Sequence, residues 1–264
     1  MTEETRSPLK DKPLRQPGQS LDEERRDLIT DKIDPWAAVA LFMIILAVLE
    51  WWRYIQQIAF NPVIFSLAAL VTVALLVWRI VSLRPKLKAL RQGRDGEKAV
   101  GEFLERLRGN GYLVFHDIVA TGFNIDHVLI GPAGVFAVET KTWSKPIGRE
   151  ARITLDGDRV LKDKMEPDRN PVSQAHAQAN WLKQQLEEST GRMLEVFPVV
   201  LFPGWFVEPM PRPETGARQI WLLEPKALPA FLAQEPMRLN PEDAKLVGYH
   251  LSRYIRSVER ERAR

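Results

Sequence analysis

The chain has no cysteine and only four histidines among its 264 residues. The missing thiols exclude a disulfide framework, a thiolate metal site and a cysteine nucleophile. Four histidines leave little material for a histidine-rich metal centre. A strong excess of one charge is also lacking: 37 Lys and Arg stand against 34 Asp and Glu, for a net charge of +3. Charge alone therefore names no partner. What the chain does have is 45% hydrophobic residues, enough for a core, and they are unevenly spread.

Residues 1–34 read as a polar tail with prolines at Pro8, Pro13 and Pro17, extended apart from a short helix over 21–33. No secretory signal peptide is expected, because the first apolar run begins only at residue 36. That run, WAAVALFMIILAVLEWW over 36–52, carries one charge, Glu50. As a helix it reaches roughly 25 Å at 1.5 Å per residue, close to a bilayer core of about 30 Å. Trp36 stands at one end and Trp51 and Trp52 at the other, where interfacial tryptophans belong. A second run, 63–83, carries only Arg79, which can snorkel to the interface beside Trp78. Core helices of a soluble protein usually keep a polar face, and these have almost none. A two-helix transmembrane hairpin over 35–83 is the reading that fits.

Orientation follows from lysine and arginine. The tail holds seven, the inter-helix loop only Arg53, and residues 79–94 hold six with no acid. The positive-inside rule then sets both termini in the cytoplasm, in a multi-pass protein of the cell (inner) membrane. Residues 84–94 read as a basic juxtamembrane linker suited to anionic headgroups; nucleic-acid contact is the other reading of that stretch. Residues 95–264 are long enough for one globular domain. They hold 23 cations and 24 acids, so any nucleic-acid contact there must come from a local patch.

Within that domain, Val100, Phe103, Leu104 and Leu107 recur at helical spacing over 95–110, with Asp95 as a candidate cap. YLVFHDIVA, 112–120, reads as a strand. Residues 124–130 and 134–141 flank Gly131-Pro-Ala-Gly134 and read as a β-hairpin. With Ile130 paired to Val135, counting back along both strands sets Asp126 opposite Glu139 and Asn124 opposite Lys141. Side chains alternate along a strand, so Asp126, Glu139 and Lys141 share a face. Opposed carboxylates destabilise a sheet unless a cation joins them. Lys141 is one such cation and a divalent metal is another, since Mg²⁺ favours one or two carboxylates with several waters. A lysine beside such a site could position, or help deprotonate, a water for attack on phosphate. An ordinary surface Glu–Lys pair is the competing reading. His127 falls on the opposite face and reads as a core histidine.

The runs GEKAVGEFLERL, GYLVFHDI, NIDHVLIGPAGVFAVETK and NPVSQA, in this order, resemble the NERD (nuclease-related) domain. That family is similar to the PD-(D/E)XK phosphodiesterases of restriction-endonuclease-like fold. The resemblance covers residues 94–205. It implies Asp126 and Glu139 as metal-binding carboxylates, the Thr140 carbonyl as a further ligand and Lys141 as the catalytic lysine. It further implies Glu97 as an acid from the first helix and Gln174 as a glutamine from the helix after the hairpin. No proline precedes Asp126, so the Pro-Asp part of the superfamily pattern is not literal here.

Residues 142–169 are rich in both charges, and ARITLDGDRVLK suggests a second hairpin around Asp156-Gly157-Asp158. Lys145, Arg149 and Arg152 are candidate phosphate contacts, and Trp143 could stack on a base, although core packing is the commoner use of a tryptophan. A helix over 171–188, strands at 195–202 and 219–223, a short helix at 225–233 and a final helix over 241–262 follow. The expected fold is α/β: a restriction-endonuclease-like core, with a mixed central sheet flanked by helices, preceded by the transmembrane hairpin. The expected function is a membrane-anchored nuclease dependent on Mg²⁺ or Mn²⁺ that hydrolyses nucleic acid, DNA foremost, at the cytoplasmic face. The alternative is a catalytically inactive, membrane-tethered nucleic-acid-binding or scaffold module of the same fold.

Overall fold

The computed structural model describes residues 14–57, 62–145, 152–156, 159–162, 165, 167, 170–208 and 220–262. It divides into two compact units. One holds the described residues up to Gln19 together with those from Gly93 onward; the other is Ser20–Gln92.

The Ser20–Gln92 unit is helical. α1 spans Gln19–Lys32, α2 spans Asp34–Ile55, and α3 begins at Pro62 and runs to Glu105. The short helix expected in the tail is α1. Trp51 of α2 donates its indole N–H to the Ser66 hydroxyl of α3 at 3.0 Å, and Lys86 pairs with Glu24 at 3.0 Å. Both α2 and the first part of α3 are long and apolar enough to cross a membrane. Most of the exposed large apolar side chains among the described residues lie between Val39 and Val81, Leu70 at 65% and Trp52 at 61% among them. A soluble monomer does not leave so large an apolar surface uncovered. The basic stretch 84–94, read as a linker, is instead helical and continuous with α3. Lys, Leu, Ala, Arg and Gln are good helix formers, and Pro85 sits inside the helix where the apolar run ends. Asp95 is therefore an interior residue and not a cap; it pairs with Arg94 at 2.7 Å.

The second unit is built on a five-stranded mixed sheet. β1 (Leu113–Val119), β2 (Asn124–Gly131) and β3 (Gly134–Thr140) form an antiparallel meander. β4 (Arg152–Asp156) and β5 (Arg159–Lys162) pair as the expected second hairpin, whose turn lies outside the described residues. α4 (Pro171–Thr190) then leads to β6 (Val196–Leu201), which lies parallel to β3. β7 (Phe206–Val207) joins β4, and β8 (Trp221–Leu223) joins β6 on its far side. α5 (Leu228–Gln234) and α6 (Pro241–Arg262) complete the chain. The main sheet order is β1-β2-β3-β6-β8. This is the α/β architecture expected from the sequence.

Two apolar layers sandwich that sheet. On one face Val128, Ile130, Val135 and Ala137 pack against Ala179, Leu182 and Leu186 of α4 and Val247, Leu251 and Ile255 of α6. On the other, Leu129, Phe136 and Val138 pack against Val100 and Leu104 of α3 and Leu228 and Leu232 of α5. β3 is buried along its whole length, as a central strand covered on both faces must be.

Candidate active site

The hairpin register is the one the turn dictates: Ile130 pairs with Val135, and the ladder runs back to His127–Val138. There it stops. The next pair, Asp126 and Glu139, does not form. Glu139 instead continues in register with Val200 of β6, and the Asp126 carboxylate accepts the Thr140 N–H at 2.7 Å. Two like charges directly opposed are unfavourable, and Glu139 still raises the Asp126 pKa. In an extended strand a residue's N–H and C=O face the same edge, so the Thr140 carbonyl faces the edge where Asp126 sits. The β1–β2 ladder has a matching gap: it passes from His116–His127 to Ile118–Ile125, skipping Asp117 and Asp126. Asp117 has φ +51 and is 2% exposed. A left-handed aspartate in a strand interior is uncommon, and it turns a fourth carboxylate toward the same region.

Three donor side chains close around Glu139: Lys141, just past β3, and Gln174 and Gln178 of α4. The Lys141 ammonium donates to Glu139 Oε1 at 2.5 Å and to Gln174 Oε1 at 2.8 Å. The Gln174 amide donates to Glu139 Oε1 at 2.7 Å. Gln178, one turn further along α4, donates to Glu139 Oε2 at 2.5 Å and to the Asn124 carbonyl at 2.9 Å. Spacing of four residues on a helix puts both glutamines on one face. Asn170 caps α4, accepting the Val172 N–H, with Pro171 at the first turn, so the segment NPVSQ fixes where Gln174 stands.

Glu97 is 9% exposed on α3, held close to the sheet because Gly96 lies against Thr142 with no room for a Cβ. Burial pushes its acid dissociation up to about 8, and the charges of Asp117 and Glu139 push the same way, against Lys141. Asp126 is raised well above the usual carboxylate range by burial and by Glu139 and Glu97. Glu97, Asp126, Glu139 and Lys141 thus interact across one site with Gln174, and every expected residue except Arg149 lies among the described ones. Sequence reading missed two residues there. Gln178 had a signal in its helical spacing from Gln174. Asp117 had none beyond being an acid in an apolar strand.

The donor set is hard: carboxylates, a backbone carbonyl and amides. That chemistry fits Mg²⁺ or Mn²⁺ better than a softer metal. Among the described residues no group of three or more Asp, Glu or His is gathered tightly enough to hold an ion. Asp126 and Glu139, with the Thr140 carbonyl, are the residues whose chemistry would suit such an ion.

Residues 92–203 match the family model for the nuclease-related domain, NERD. Over this stretch the chain is similar to the nuclease-related domain. Neither the curated proteins nor the solved structures compared with the chain gave a match. All five candidate catalytic residues fall within the NERD match.

His127 lies on the far face of the main sheet, fully buried, with its Nδ1 at 2.9 Å from His116 Nδ1. Burial holds its pKa well below the usual value, so it packs as a neutral histidine. Beyond Lys141 an aromatic cluster follows. The Trp205 indole donates to the Trp143 carbonyl at 3.2 Å, and Trp143 packs on Phe202. The Lys145 ammonium stands 5.6 Å from the Trp205 ring, and that of Lys162 stands 5.5 Å from it and 5.9 Å from Trp143. Arg152 lies over Phe206 and pairs with Glu208 at 3.3 Å, so its charge is shared. Arg149 lies outside the described residues.

Proposed function

We propose that the chain is a membrane-anchored, divalent-metal-dependent nuclease. The observation that carries this reading is the Asp126–Glu139–Lys141 set with Gln174 across it, at the opening of a hairpin inside the stretch similar to the nuclease-related domain. Asp126, Glu139 and the Thr140 carbonyl would hold Mg²⁺ or Mn²⁺. When bound, the ion would supply Lewis-acid polarisation of the scissile phosphodiester. Lys141, as the ammonium, orients the attacking water and donates to the negative charge that builds on the phosphate oxygens, and the proton the water loses passes to solvent. Gln174 fixes the Lys141 ammonium and the Glu139 carboxylate relative to each other. Glu97, buried beside the Asp126–Glu139 pair and with its pKa raised to about 8, would give up its proton when a cation binds. Lys145 and Lys162, seated on tryptophans, are suited to phosphate oxygens. DNA is the substrate proposed.

The anchor is the pair of apolar helices. The described residues up to Gln19 share a compact unit with those from Gly93 onward, and both apolar helices lie between. That supports an even number of crossings with the tail and the domain on one side. The lysine and arginine bias supports the cytoplasmic side.

A second reading, an inactive nucleic-acid-binding or scaffold module, draws on one observation: both Glu139 oxygens are already taken by Lys141, Gln174 and Gln178. Metal binding separates the two. Calorimetry with Mn²⁺ on the full chain gives binding lost in Asp126→Asn if the nuclease reading holds, and no heat in the wild type if the module reading holds.

A further inference from the structure

The tail that precedes the membrane helices reaches the acidic cluster. Arg15 is 4% exposed, although it lies in a polar segment with only a few described neighbours. Its guanidinium donates to Asp117 Oδ2 at 2.9 Å and to Glu259 Oε1 of α6 at 2.6 Å. Leu14 packs against the core between the sheet and α4 and α6. Pro17 lies against Gly101 of α3, where a Cβ would come within 2.4 Å of the proline ring. The Gly18 N–H donates to the Glu97 carboxylate. Gly18 itself has φ +71 and packs on Arg94, a conformation and a closeness that only glycine accepts easily.

These contacts are not those of a solvated tail. Buried arginine is tolerated only when its donors are used, and here they bridge a strand acid and a helix acid. We propose that Leu14–Gly18 is a strap belonging to the site, with Arg15 as a positioning residue that holds Asp117 and seats the Gly18 amide on Glu97. Arg15 takes up the Asp117 charge inside a group of four carboxylates in which Lys141 is bonded to Glu139. Asp117 is thereby kept for the strap, and Asp126 and Glu139 are left for a cation. The strap also ties the site to a segment that lies before the first apolar helix, so the NERD match at 92–203 is not the whole of the site. The role in cation binding rests on the metal-dependent reading above.

The test uses the full chain in detergent, with Arg15→Gln, Arg15→Lys and the charge-neutral pair Arg15→Gln/Asp117→Asn. Hydrogen–deuterium exchange over residues 14–18 reads docking, and Mn²⁺ calorimetry reads the consequence. The strap is expected to be protected in the wild type. Arg15→Gln is expected to lose that protection and to bind Mn²⁺ about tenfold more weakly or worse. Arg15→Lys and the neutral pair should recover most of both. Comparison at a temperature where every variant keeps its circular dichroism removes simple unfolding. A wild-type strap that exchanges at the free-chain rate overturns the proposal. So does an Arg15→Gln chain that loses protection and keeps its Mn²⁺ affinity. A wild type that protects the strap and binds no Mn²⁺ overturns the metal reading and, with it, Arg15's part in cation binding.

Discussion

At the scale of single residues, the chemistry rests on a shortage of positive charge. Glu97, Asp117, Asp126 and Glu139 meet there, with Lys141 bonded to Glu139 and Arg15 to Asp117. Lys141→Ala and Glu139→Gln are expected to lower metal-dependent cleavage by about 10²–10³ or more, measured on labelled nucleic acid. Gln174→Ala should lower kcat by about tenfold and leave KM for nucleic acid nearly unchanged, because it orients Lys141 and does not reach the substrate. The raised Glu97 has a consequence for stability. Its pKa is about 8 in the fold against 4.5 as an ordinary carboxyl, so the folded chain binds more protons than the unfolded one between those values. Stability from this group is present at low pH and lost as pH rises toward and through about 8. His127 acts the other way. Held neutral by burial, it costs stability only below the ordinary histidine range. Above that range the carboxylates act alone, so the metal-free protein should melt at a lower temperature at pH 9 than at pH 7. Added Mn²⁺ should remove most of the difference, because an ion takes over what the proton did. Thermal melts at both pH values with and without Mn²⁺ check this.

At the scale of elements, the hairpin was legible and the packing around it was not. Gly131-Pro-Ala-Gly134 between two alternating runs sets one register, and that register is the one observed. Strand parity then puts Glu139 and Lys141 toward α4, whose spacing presents Gln174. Directly opposed Asp126 and Glu139 were an over-extension of the ladder. The ladder ends one residue early, where the Asp126 carboxylate takes the Thr140 N–H. The linker 84–94 contains the boundary between the two compact units, at Gln92 and Gly93, and it is helical because basic residues with high helix propensity continue α3 from Pro62 to Glu105. Gly96 shows why that helix matters to the site. A Cβ there would fall 1.7 Å from the Thr142 hydroxyl. Gly96→Ala must push α3 from the end of β3 and carry Glu97 with it. A loss of about 1–3 kcal/mol in stability is expected, with weaker Mn²⁺ binding; denaturant melts and calorimetry measure the two.

At the scale of the whole molecule, sequence composition gave the apolar helices and nothing of the strap. Long uncharged runs are visible without a structure. The contact of Arg15 with Asp117 and Glu259 joins residues 102 and 244 positions apart, and no local pattern encodes it. If residues 14–18 dock on the domain in the membrane, the N-terminus and the C-terminus face the same compartment. Reporters fused to either end that fluoresce only in the cytoplasm should both be active, whereas one fused into the loop after α2 should be silent. A signal from only one terminus would mean an odd number of crossings. The most direct test of the central claim is cleavage by the purified full chain. Labelled single- and double-stranded DNA and RNA would be incubated with Mg²⁺, Mn²⁺ or EDTA, beside Glu139→Gln and Lys141→Ala. The account predicts cutting of DNA that needs the metal and disappears in both variants. A folded chain that binds Mn²⁺ and cuts nothing, or cutting that survives both substitutions, would contradict it.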